Sequence, residues 1–129
     1  MTLQRSMPVL QVRDVAASAG FYERLGFSHH GFWGDPPGFC IVQRDRVTLA
    51  LDLARDGRVP QNQWWAAYLY VADVDALHAE FSALDDVEIT DPGDRFYGCR
   101  DFDLVDPDGH RLAFGQDLTD VNRPGLTKD

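Results

Sequence analysis

Three aromatic pairs stand in loop-like stretches of this 129-residue chain: Phe32-Trp33 between Gly31 and Gly34, Trp64-Trp65, and Phe96-Tyr97. Large rings in Gly- and Pro-rich loops are not ordinary core positions. Their chemistry is stacking, and they could sandwich a planar ligand, each stack adding about 0.5–1.5 kcal/mol beyond area burial. For the tryptophan pair, packing between modules or in a subunit interface is an equal alternative, since interfaces are also rich in aromatics. A second group is polar: Tyr68 and Tyr70, Asp101 and Asp103, and Asp52 on a separate apolar run. The three carboxylates could complement a cation. Asp101, Asp103, Tyr68 or Tyr70 could act as acid or base if burial shifts a pKa. The ordinary alternative for any one carboxylate is a solvated strand position. No Gly-x-Ser-x-Gly nucleophile motif and no phosphate-binding loop accompanies them. The four histidines are scattered: His29-His30 would point to opposite sides of a strand, His78 falls on a helix and His110 follows a turn. They do not converge as metal ligands must.

A repeat supplies the frame for these residues. Met7 to Tyr22 and Ala66 to Phe81 are worn copies of one another, 59 residues apart. Each is an apolar run, then Asp-Val (Asp14, Asp73), then an amphipathic stretch. Two such units imply a duplicated fold sharing a concave surface. In the first unit Pro8–Val12 reads as a strand, and Asp14 as a helix N-cap. Val15, Ala19, Tyr22 and Leu25 share a helical face, and Gly26 is the stop. Phe39–Val42 and Val47–Leu53 read as strands joined by the turn Arg44-Asp45-Arg46, followed by a crossover loop marked by Asp56-Gly57 and Pro60. In the second unit Tyr68–Val71 is a strand, Asp73 a cap, and Val74, Leu77, Phe81 and Leu84 a helix face. Phe102–Val105 and Leu112–Phe114 are strands joined by Asp106-Pro107-Asp108-Gly109. The tail from Thr119 lacks periodicity and reads as frayed.

Each helix must bury its apolar stripe on one face of its sheet, leaving the other face free. Strand alternation then sorts the residues. Met7, Val9, Gln11, Ala50 and Asp52 fall on the free face of the first unit. Ala66, Tyr68, Tyr70, Cys99, Asp101, Asp103, Arg111 and Ala113 fall on that of the second. With the loop aromatics, the candidate ligand-binding set is Phe32, Trp33, Phe39, Asp52, Trp65, Tyr68, Tyr70, Tyr97, Asp101 and Arg111. The expected fold is α+β, with a cupped mixed sheet and helices on its outer face. It is a single domain, 1–129, made of module 7–58 and module 64–118.

Composition bounds the function. Hydrophobic residues make up 44% of the chain, enough for a real core. No apolar run reaches the roughly 18 residues of a membrane helix, and the N-terminus lacks a signal-peptide pattern. With only Cys40 and Cys99, a reduced cytoplasmic protein is expected, and a bridge between them is disfavoured. The net charge of −9 is uneven: residues 1–60 carry seven basic and six acidic residues, and residues 61–129 five basic and fifteen acidic. Such a chain repels nucleic acid and attracts cations, although solubility alone also accounts for it.

Pro8-Val-Leu-Gln-Val-Arg-Asp-Val15, Phe21-Tyr22 and Leu25-Gly26-Phe27, together with Tyr97-Gly-Cys-Arg-Asp-Phe102 and Asp106-Pro-Asp-Gly109, resemble the glyoxalase/bleomycin-resistance/dioxygenase superfamily over about residues 7–118. The resemblance implies paired βαβββ modules, a homodimer, and ligand sites between modules or subunits. It also implies four metal-ligand positions, here Met7, Ala50, Ala66 and Ala113. Three alanines and a methionine are no donor set for a divalent metal. No cofactor is expected, and the metal-dependent isomerase and dioxygenase readings fall away. The metal-free branch includes the bleomycin resistance proteins, which bind drug without chemistry. Where those relatives usually carry a tryptophan that stacks the drug's flat bithiazole, this chain has Tyr97, and its Gly34-Asp-Pro-Pro-Gly38 stretch departs from them. The leading expectation is a metal-free protein that sequesters a planar, cationic small molecule, bleomycin-like or otherwise. A metal-independent enzyme and a ligand-sensing module of the same superfamily are the alternatives.

Overall fold

A computed structural model describes residues 1–119 of the chain. The expectation of a frayed tail from Thr119 falls on residues outside these except for Thr119 itself, which donates through N and Oγ1 to Asp117 Oδ1 (both 2.9 Å). The elements run β1 (Val9–Val12), α1 (Val15–Arg24), β2 (Phe39–Arg44), β3 (Val47–Leu53), a 3-10 turn (Arg55–Gly57), β4 (Trp65–Tyr70), α2 (Val74–Ser82), β5 (Glu88–Ile89), β6 (Gly93–Asp94), β7 (Cys99–Val105) and β8 (Arg111–Asp117). This is the α+β pair of βαβββ-like modules, with mixed sheets and helices on the outer side. Both strand-to-helix corners are built alike. Asp14 and Asp73 each accept a hydrogen bond from the third residue onward, Ala17 N and Ala76 N, both at 3.0 Å. Such caps satisfy amide donors that the first helical turn leaves free. Asp14→Ala is therefore expected to cost about 1 kcal/mol and lower Tm by about 4 °C in a thermal melt.

Hydrogen bonding divides the strands into two sheets. The first has the order β1-β3-β2, with β1 parallel to β3; the second has the order β4-β8-β7-β5, with β6 also on β7. The first module is the plainer copy. Opposite its outer strand the described residues form only the isolated bridges Ser28↔Gln43 and Trp33↔Phe39. Gly31, Gly34, Pro36, Pro37 and Gly38 occupy that stretch, and prolines cannot donate to a ladder. Strands β5 and β6 were not anticipated, because two-residue strands have no period to read.

The face assignments hold with one correction. Leu10, Val12, Leu49 and Leu51 are buried under the helices, as are Val15, Ala19, Tyr22 and Leu25 of the α1 stripe. The exception is a bulge in β4 between Trp65 and Ala67. It sets Trp65, not Ala66, opposite Arg111, and Ala66 packs instead against the core. An inserted residue reverses alternation beyond it.

Buried residues of both modules form one core, in which Phe102 stacks on Phe114 at 5.5 Å and both meet Phe81 edge-on. Polar contacts tie the modules at the end of β1. The Tyr22 hydroxyl donates to Asp106 Oδ2 (2.8 Å), Arg13 donates through N and Nη1 to Asp108 Oδ1 (2.9 and 3.1 Å), and His110 Nε2 meets Gln11 O (2.6 Å). At the other side Arg44 forms a bidentate pair with Glu80. Cys40 and Cys99 are free, buried thiols.

Candidate functional site

The second module presents an aromatic wall on its free sheet face. The pairings Tyr68↔Ala113, Tyr70↔Gly115, Asp101↔Gly115 and Asp103↔Ala113 set these side chains on one side. Trp65, Tyr68 and Tyr97 meet edge-on, with ring centroids 5.0 Å (Trp65–Tyr68), 6.0 Å (Trp65–Tyr97) and 6.3 Å (Tyr68–Tyr97) apart. Tyr70 lies 5.2 Å from Tyr68. Gly115 makes the close packing possible, since a Cβ there would run into the Tyr68 hydroxyl.

Beneath this wall lies Asp101, only 2% exposed. It accepts from Tyr68 Oη (2.9 Å) and from Tyr97 Oη at Oδ2, and from Arg95 Nε (2.7 Å) at Oδ1. Burial disfavours the anion, but the bonds from Arg95, Tyr97 and Tyr68 outweigh it and hold the carboxyl below its usual range. The two phenols move the other way. Burial first, then contact with Cys99 and Asp101, pushes Tyr68 far up; burial and the Asp101 bond do the same to Tyr97. Asp103 is likewise engaged, accepting from Trp65 Nε1 (3.1 Å) and Arg111 Nη1 (2.8 Å). The Arg111 guanidinium also covers one face of Trp64, 5.1 Å from the ring centroid.

Asp101 and Asp103 are thus each paired with an arginine, Arg95 and Arg111, and Arg111 also brackets Trp64. Among the candidate carboxylates, Asp52 alone has no hydrogen bond or ion pair among the described residues.

The first module carries a second, smaller surface. Phe39 pairs with Asp52 across β2 and β3, and Trp33 packs edge-on against Phe39 at 5.7 Å. Phe32 tilts against His29, whose Nδ1 accepts from Gly31 N at 3.1 Å. Phe32 and Trp33 border a hollow of about 440 Å³, completed by Ser28, His30, Gly31, Ile41 and Gln43. The candidate set omitted Ile41, Gln43 and His30. Counting by twos from Phe39 would have found the first two, because Ile41 pairs with Ala50 and Gln43 with Thr48 on the same face. No hydrogen bond, ion pair or ring contact joins Phe32, Trp33, Phe39 or Asp52 to the Trp65–Tyr68–Tyr97 wall among the described residues. The candidate residues thus form two groups in one chain.

A separate hollow, also about 440 Å³, opens at the seam between modules, between the β2–β3 turn and α2. Its apolar walls include Phe27, Val47, Leu69, Leu77 and Phe81, and Tyr70 lies at its border. No sequence signal pointed to it, because its lining comes from both units.

Chemically, the arrangement can stack and orient a ring. Among the described residues no group of three or more His, Cys, Asp or Glu could hold a metal ion. No helix among them is long and apolar enough to cross a membrane. Tyr68 and Tyr97 stay protonated and Asp101 stays saturated with donors, so none is a free base.

Paired βαβββ-like modules with rings on their free faces and no metal-ligand cluster among the described residues define a class of small-molecule-binding folds. Residues 5–114 match the Glyoxalase/Bleomycin resistance protein/Dioxygenase superfamily, and the chain belongs to it. A bleomycin resistance protein of Geobacillus stearothermophilus is 28% identical, over 88% of this chain and 97% of the relative. The crystal structure of a bleomycin-binding protein complexed with bleomycin superposes with a TM-score of 0.74 at 27% identity, covering 88% of this chain and 98% of that one. That of a bleomycin resistance determinant encoded on the transposon Tn5 does so at 0.73 and 26%, covering 89% and 98%.

Proposed function

We propose that this protein is a metal-independent binder that sequesters a planar small molecule, with a bleomycin-like antibiotic as the leading candidate. The observation that carries the reading is where its large apolar side chains meet solvent. Besides Met1 and Leu3 near the N-terminus, Leu53 and Leu118, the exposed large apolar side chains among the described residues are Met7, Val9, Phe32, Trp33, Trp64, Tyr70, Phe96 and Tyr97, which belong to the free sheet faces and the loops flanking them. Exposed rings gathered in this way mark a binding surface. Relatives named for bleomycin resistance or bleomycin binding, matched over nearly the whole chain, support the same reading.

No ring contact or hydrogen bond joins the two aromatic groups of one chain, and in this reading the complete site is a groove in which the first module of one subunit faces the second module of its partner. The functional unit is then a homodimer. Positive charge on the ligand has one partner in this scheme, Asp52, while shape and π-contact supply most of the affinity. Protection by trapping at micromolar drug requires about −8 kcal/mol. Several stacked rings in a closed groove are of that order. The acid–base alternative is weaker, since each candidate group except Asp52 and Tyr70 is committed to an internal hydrogen bond.

Titration of purified protein with bleomycin, followed by tryptophan fluorescence, tests this. A saturable change at micromolar drug is expected. Trp65→Ala should weaken binding about tenfold or more, as removal of a central aromatic anchor does. No change at tens of equivalents would remove bleomycin as the ligand.

A further inference from the structure

We infer that the Tyr68–Tyr97 wall selects ligands that offer hydrogen-bond donors, such as aromatic amines and amides, over ligands that offer only acceptors. The inference rests on the reading of this face as a planar-ligand site and adds which polar edge the ligand must carry. A tyrosine hydroxyl has one proton to donate and lone pairs to accept with. Both hydroxyls spend that proton on the same atom, Asp101 Oδ2. Asp101 is buried and keeps its negative charge through Arg95 Nε on its other oxygen, so it cannot donate back. The neighbouring indole proton of Trp65 is spent too, on Asp103, and Arg95 and Arg111 each turn N–H groups onto the carboxylates Asp101 and Asp103, leaving their remaining N–H groups at the edge of the wall and not at the phenol oxygens. Any ligand group that reaches the two phenol oxygens therefore meets lone pairs only. A ligand N–H completes a hydrogen bond there. An ether or carbonyl oxygen meets like partial charge and loses its water, which leaves a desolvated acceptor unpaired.

Asp101 thus acts as a positioning residue for the wall. It fixes two ring orientations and the polarity of both hydroxyls before any ligand arrives, so less side-chain freedom is lost on binding. Gly115 is its accomplice, because only a residue without a Cβ lets Tyr68 lie close enough across β8.

The test uses two neutral, nearly isosteric probes, 2-aminonaphthalene and 2-methoxynaphthalene. Dissociation constants are read from shifts of the tryptophan indole N–H resonances in the full-length protein. The amine is expected to bind about three- to tenfold more tightly than the ether, the range of one net hydrogen bond. Tyr97→Phe keeps the ring, removes one oxygen, and should bring that ratio towards one. Asp101→Asn presents an amide donor to the phenols, frees a hydroxyl proton to point outward, and should shrink or reverse the preference. If Asp101→Asn does not fold, Tyr97→Phe decides, since Tyr97 is partly exposed and its loss of a hydroxyl leaves the core untouched. Equal or tighter binding of the ether, or a ratio unchanged in the variants, overturns the inference while leaving the planar-ligand site standing. If neither probe shifts any indole resonance, the planar-ligand reading itself fails, and this inference with it.

Discussion

Asp106→Ala is expected to lower unfolding free energy by about 3–5 kcal/mol, as loss of an acceptor shared by several buried donors does. Asp106 is 4% exposed at the start of the β7–β8 turn. Its Oδ1 accepts from Asp108 N (2.9 Å) and His110 N (2.8 Å), and its Oδ2 from the wholly buried Tyr22 hydroxyl of the other module. Alanine removes the partner of all three. The Tyr22 bond links residues 84 apart in the chain, so its loss also loosens the seam between modules. Urea denaturation checks this: the midpoint should fall with little change in slope. Tyr22→Phe, which removes only one donor, should cost about 1–2 kcal/mol. A full-size effect from Tyr22→Phe would place most of the energy in the Tyr22–Asp106 bond and little in the two backbone bonds to Asp106 Oδ1.

Asp101→Ala has the second-largest expected effect, about 3 kcal/mol, because it opens a buried hole and takes the shared acceptor from two phenols and the partly exposed Arg95. Its pH dependence is distinctive. The folded-state pKa of Asp101 is lowered, so its stabilisation is fully present above the unfolded carboxylate value of about 3.9 and is lost as pH falls through the folded value. Asp106 has the opposite sign. Burial leads the causes that raise its pKa, so the pH-linked part of its contribution is fully present below the unfolded value and is lost as pH rises through the folded one, while its three accepted hydrogen bonds persist in the carboxylate. Comparing wild type and Asp101→Asn by urea denaturation at pH 7 and at pH 3 separates the two. The gap between the proteins should narrow in acid. A gap that widens there would mean that Asp101 is held as the neutral acid.

Much of the frame was legible because it is local. The capping aspartates Asp14 and Asp73 and the α1 stripe Val15, Ala19, Tyr22 and Leu25 follow from spacing over a few residues, and Val47–Leu53 has the strand bounds expected of it. The short strands β5 and β6 and the β4 bulge were not legible. They exist because the long strands β7 and β8 offer partners, and nothing within the segments themselves announces a partner. The same holds for the role of Asp101. From the chain it is one of several alternating acids, and only the approach of Arg95, Tyr68 and Tyr97 turns a candidate ligand contact into a buried support.

Sequence alone determined the duplication and the two helices with their buried faces, since residue type and short-range period carry these. Tertiary structure decided which charges remain free, which hydroxyl protons are already spent, and that one chain keeps its two aromatic surfaces apart. Those outcomes depend on distances between residues far apart along the chain, where burial removes competing water and a few tenths of an ångström separate a bond from a mere neighbour.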